Sequence, residues 1–271
     1  MKKQFRVSFF LDESWKILFQ IGGWAGILAG ILFRRNLGVE IALFSPIAPP
    51  SNPLDWLLML QTNRLLGLAY LGMFDLVNVI LLGLMMLSLY LALQHSQSKI
   101  PLIAIVISLL GVATYLSSNT ALSLLSLSDQ YLVSSSELQR SFLLSATTAL
   151  LALNRFSSPG AYPGSGGYVS LFLIAVAGIL FSISIIKTRL FNCWIAYTGM
   201  IASILDLIYC LVWLFTPTSV HEKLATACLP AAGFFLMIWH LLIGFQLLRL
   251  ARIISKTRSL PNSRNSFDYS S

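Results

Sequence analysis

Apolar residues in this chain come in long unbroken runs, separated by short polar or charged stretches. The first run is 17–33, ILFQIGGWAGILAGILF, between Lys16 and the Arg34–Arg35 pair. The second lies within 65–94, between Arg64 and His95, and the third runs from Lys99–Ile100 to about Leu116, before SSNT. The fourth is about 168–186, ending at Lys187 and Arg189, and the fifth about 191–216, stopped by Pro217. The sixth is about 225–248, ending at Arg249, with Pro230 in its first turn or kinking it. Each is near the roughly 20 residues a helix needs to cross a bilayer. No strand-like alternation competes with these runs. The pattern predicts an all-α fold, a polytopic transmembrane bundle forming a single membrane domain over 1–271.

The segment 134–155, SSSELQRSFLLSATTALLALNR, decides the span count. Ser134 and Glu137 have capping-box spacing, which predicts a helix start. Its apolar stretch, Phe142 to Leu153, is too short for an ordinary span. Charge tests this reading independently. If the segment does not cross, twelve Lys and Arg fall on the cytoplasmic side and six outside. If it crosses, the balance becomes seven inside and eleven outside, against the positive-inside rule. Six spans with both termini cytoplasmic is therefore the expectation, and seven spans the alternative. Segments 34–64 and 117–167 then lie outside. Within the first, SNPLDWLLMLQTNR predicts a short interfacial helix capped by Ser51 or Asn52, with Pro53 in its first turn and Trp56 at headgroup depth.

Composition agrees. Of 271 residues, 56% are hydrophobic and 10% charged, against about 25% charged in a soluble domain. Mean hydropathy is +0.79. The formal net charge is +8, and its basic residues sit between apolar runs. That placement predicts anionic lipid headgroups at the cytoplasmic face as partners, not nucleic acid. Residues 1–13 read as a cytoplasmic lead-in rather than a cleaved signal, since Asp12 and Glu13 interrupt any apolar core. Residues 255–271 are polar and predict a disordered cytoplasmic tail. Cys193, Cys210 and Cys228 lack the spacing of a disulfide framework or a zinc site.

Few residues are candidates for chemistry. Asp75 and Asp206 are ionisable groups inside apolar runs, and such groups normally face the bundle interior or a wet cavity. Asn78 shares a helix face with Asp75, and His240 follows Trp239 in the last run. If the two carboxylates met, they would share a proton, which suits proton-coupled transport or acid–base work. The bland reading makes each a hydrogen-bonded packing residue. Gly22, Gly26 and Gly30 are spaced for close helix packing, within the chain or against a second copy. Six spans divide as three plus three, with one acid in the second helix of each triplet, but the halves share no sequence similarity. No lysine lies in a span, and there is no HExxH, G-x-S-x-G, P-loop or paired acidic diphosphate motif. No cofactor or metal is expected.

The stretch LSLSDQYLVSSSELQRSFLLSATTALLAL, with GGWAGILAGILF and SLYLAL, resembles the bacterial multi-span membrane family catalogued as domain-of-unknown-function family 4386. The likeness covers roughly 14–250 and implies a membrane setting without an assigned activity. Three functions follow as expectations. The first is a small-molecule or proton-linked transporter or sensor built round Asp75 and Asp206. The second is a non-catalytic protein associating through the glycines of the first span. The third is an intramembrane enzyme acting on lipid or quinone.

Overall fold

A computed structural model of the chain describes residues 15–44, 50–94, 98–153, 165–215 and 218–258. Every element among them is helical. In chain order these are α1 (Lys16–Phe44), α2 (Pro53–Thr62), α3 (Arg64–Tyr70), α4 (Met73–Leu93) and α5 (Ile100–Ser118). Then follow α6 (Ala121–Val133), α7 (Glu137–Leu153), α8 (Ser165–Thr188), α9 (Cys193–Phe215) and α10 (Thr218–Arg258).

Six of these helices close a ring. α1 packs on α4, α4 on α5, α5 on α8, α8 on α9, α9 on α10, and α10 back on α1. Small residues set the closest approaches, as expected where dispersion and not water drives association. A Cβ on Gly22 would overlap Ser88 of α4, whose hydroxyl donates to the Leu18 carbonyl at 2.8 Å. A Cβ on Gly26 would lie 2.9 Å from Met85 Sδ and 3.1 Å from Gly244 Cα of α10. One on Gly30 would lie 2.8 Å from Leu241. The glycine row of the first run is thus occupied inside the chain, divided between α4 and α10. The ring's interior core includes Phe19, Met85, Phe181 and Ile243. Its outer surface is also apolar, with Trp24, Ile80, Leu110, Ile204 and Phe245 exposed. An exterior of this kind is compatible with a protein integral to a membrane and unsuited to water.

Five stretches among the described residues are long and apolar enough to cross a membrane: 73–93, 100–133, 165–188, 193–212 and 230–255. The first run adds a shorter apolar helix, Lys16–Leu32, so five spans meet the length criterion where six are expected. α10 is far longer than the run that predicts it. Its 41 residues span about 60 Å, and Pro230 lies inside the helix and not in its first turn. It reaches Arg258, past the expected start of the tail; the rest of the tail, the lead-in, His95 and Pro217 lie outside the described residues.

The second run is not one helix. It breaks at Leu71–Gly72, where Gly72 takes φ 80°, the left-handed conformation that glycine adopts without steric cost. A Cβ there would stand 3.2 Å from the Tyr115 hydroxyl. The break leaves α3 outside the ring and starts α4 at Met73.

Helices α2, α3, α6 and α7 form a cap with its own small core of Trp56, Leu60, Leu71, Ala121 and Leu124. As expected, Asn52 caps α2, its side chain accepting from the Asp55 N–H at 2.9 Å with Pro53 following. Trp56 is turned into this core. It is 8% exposed and packs edge-on against Tyr70. Ser128 ties the cap together, donating to the Leu57 carbonyl at 2.7 Å and accepting from Gln61 at 2.8 Å. Arg64 pairs with Asp129 at 2.6 Å. Helix α7 does begin at Glu137, yet Ser134 is the C-cap of α6 and no N-terminal partner of Glu137. Its hydroxyl donates to the Ser136 carbonyl at 3.4 Å.

A Cβ on Gly166, at the start of α8, would overlap Ser118, at the end of α5. The chain therefore leaves the ring after α5 and re-enters it at α8 from the same end. α7 lies between these points, mostly exposed, with Leu143 and Thr147 its buried residues.

Candidate functional site

A cavity of about 200 Å³ lies within the ring, walled by α4, α5, α8, α9 and α10. Asp75, Asn78, Asp206 and His240 all line it. The sequence singles out these four only as polar residues in apolar runs; the fold brings them to one space. The remaining lining is mostly apolar, including Leu82, Met86 and Ile174.

On α4 the wall runs from Asp75 to Met86, about 16 Å of helix. Asp75 lies in the first turn of α4, a consequence of the break at Gly72 and not expected from the unbroken apolar run. A carboxylate there is favoured by the free N–H groups and dipole of the helix start. Asn78, one turn on, is 5% exposed, and its amide oxygen has no hydrogen-bond donor among the described residues. A buried amide oxygen in that state costs on the order of 1–3 kcal/mol.

Asp206 on α9 is 5% exposed. It stands one turn from Ser203, which fits against Gly178 of α8 so tightly that a Cβ on the glycine would overlap its hydroxyl. Nearer the end of α9, the Tyr168 hydroxyl donates to the Cys210 carbonyl at 3.0 Å, joining α8 to α9. His240 on α10 is 1% exposed, and its Nδ1 lies 2.6 Å from the Leu236 carbonyl. A carbonyl only accepts, so Nδ1 carries the proton and Nε2 is the acceptor nitrogen of the neutral ring. Trp239 packs edge-on to that ring, with its indole nitrogen against Gly199.

Two aromatic contributors, Tyr115 and Trp239, are not among the sequence candidates. Aromatic residues in apolar runs give no signal of their own there. A weak signal existed on α8, where Ser170, Ile174 and Gly178 recur every four residues and all line the cavity. Among the described residues the lining carries no lysine or arginine. Among the described residues no group of His, Cys, Asp and Glu is arranged to hold a metal ion. No protein-family model, curated protein or solved structure matches the chain.

Proposed function

We propose that this chain is a six-span membrane protein that binds a small molecule in its central cavity, as a carrier or a sensor does. Asp75, Asn78, Asp206 and His240 are the polar groups of that site. The observation that carries the reading is the convergence of all four on one cavity of about 200 Å³. An engineered apolar cavity of about 150 Å³ binds benzene, so this space suits a single substituted ring. Packing residues scattered for stability alone have no reason to share one cavity.

Six spans are supported by the closed ring, in which α1 is a full member despite its shorter apolar stretch. Non-crossing of α7 is supported by the adjacency of Ser118 and Gly166. Under this reading the basic ends of α8 and α10 face the cytoplasm and anionic headgroups of the cell membrane, as the positive-inside rule requires. Kinship with domain-of-unknown-function family 4386 is part of the same proposal and adds no activity to it. The association reading loses its surface, because Gly22, Gly26 and Gly30 are covered by α4 and α10.

The test is saturation-transfer NMR on the purified chain in detergent. Toluene, phenol, phenethyl alcohol and phenethylamine serve as probes. At least one is expected to bind, and to lose binding in Val79→Phe, which fills the cavity from α4. Absence of binding by all four, or binding indifferent to Val79→Phe, would contradict the proposal.

A further inference from the structure

We infer that the cavity's ligand is a lipophilic amine, bound as the ammonium ion with a carboxylate as its counter-charge. This rests on the binding reading above and specifies its chemistry.

The argument begins with charge. Among the described residues two carboxyl groups, Asp75 and Asp206, line the cavity, and no lysine or arginine does. An ionised carboxylate surrounded by apolar side chains is costly unless a cation meets it. No described lining residue supplies that cation to Asp206, so a ligand is the natural source. Hydrogen bonding points the same way. Described lining residues with a buried polar atom lacking a hydrogen-bond partner include Asn78, whose amide oxygen calls for an N–H or O–H, and Trp239, whose indole N–H is a donor lying against Gly199. A primary ammonium has three such donors. An anion or an ether has none to offer to the Asn78 oxygen or to a carboxylate.

The apolar lining then selects the rest of the molecule. Leu82, Met86 and Ile174 suit a hydrocarbon body, and the rings of Tyr115 and Trp239 suit a cation, since aromatic faces attract ammonium groups. A cavity of about 200 Å³ leaves room for one ring and a short amine arm. Phenethylamine has those dimensions.

The experiment compares phenethylamine with phenethyl alcohol and phenylacetate, its neutral and anionic counterparts, by titration against the intact chain in detergent. Phenethylamine is expected to bind at least about tenfold more tightly than the alcohol, the usual advantage of a charge-assisted hydrogen bond, and phenylacetate weakest. Asp206→Asn or Asp75→Asn is expected to weaken the amine about tenfold more than the alcohol. Alcohol binding in the same variant shows that the bundle is folded. Equal binding of alcohol and amine, with both lost in Val79→Phe, would overturn the amine assignment while leaving the cavity's binding role intact. Indifference of amine affinity to both acid substitutions would overturn it as well. Failure of all three compounds to bind would overturn the amine assignment, and failure of toluene and phenol as well would remove the binding reading.

Discussion

Gly244→Ala isolates the packing on which the ring depends. Gly244 of α10 faces α1, and a Cβ there would lie 2.7 Å from the Gly23 carbonyl oxygen and 2.9 Å from the Ile27 backbone nitrogen. Both are backbone atoms of a helix, so no side-chain rotation relieves the clash. The two helices must separate by several tenths of an ångström along their most extensive mutual contact. Overpacking of this kind costs about 1–3 kcal/mol. Against it stands a helix-propensity gain of at most about 1 kcal/mol for replacing glycine by alanine. The net expectation is a destabilisation of about 1–2 kcal/mol. Gly83→Ala is the matched control. Its Cβ would meet Val112 at 3.6 Å, ordinary contact, so stability should hold or rise slightly. Reversible unfolding by denaturing detergent, read by circular dichroism, measures both. Gly26→Leu should behave like a stronger Gly244→Ala and unfold the bundle, not merely dissociate a dimer. A Gly244→Ala protein as stable as Gly83→Ala would refute the α1–α10 packing. So would a Gly26→Leu protein that is fully stable and differs only in oligomeric state.

The cap and the topology give further expectations. Trp56→Ala removes the largest side chain of the cap core and should cost about 3–5 kcal/mol locally, seen as new protease cleavage within 53–153 while the ring stays intact. Asp129→Asn, which breaks a half-exposed ion pair, should change stability by less than about 1 kcal/mol. Single cysteines at 135 and 160, in a background freed of native cysteines, should be labelled by an impermeant maleimide from the same membrane face. Labelling from opposite faces would make α7 a span.

Much of the helical layout was legible because apolar runs near bilayer length leave no other economical way to satisfy the backbone in lipid. Asn52 and Pro53 marked the start of α2 because capping is a local interaction. The Leu71–Gly72 break was not legible. Glycine occurs freely in membrane helices, and nothing in the local sequence marks this one as taking a positive φ. Ser134 carried an N-terminal signature while serving the preceding helix, since serine at a helix junction satisfies either motif. The burial of Trp56 was not legible, because part of its cover, α6, is remote in sequence. At the site, the four polar candidates stood out by their cost in an apolar run. That they share a cavity is a property of helix order round the ring, which no single run encodes. Gly22, Gly26 and Gly30 showed that a close contact exists; which helices make it, α4 and α10, the spacing does not say.

The central claim is that a small molecule enters the ring's interior, and photolabelling tests it most directly. A phenethylamine-sized diazirine, activated on the protein in lipid nanodiscs, should leave adducts on inward residues such as Leu82, Leu171, Ile174 and Leu236, competed away by excess phenethylamine. Adducts confined to the outward residues Val77, Ile204 and Phe234, unaffected by competitor, would mean that the probe sees only lipid and that the cavity holds nothing.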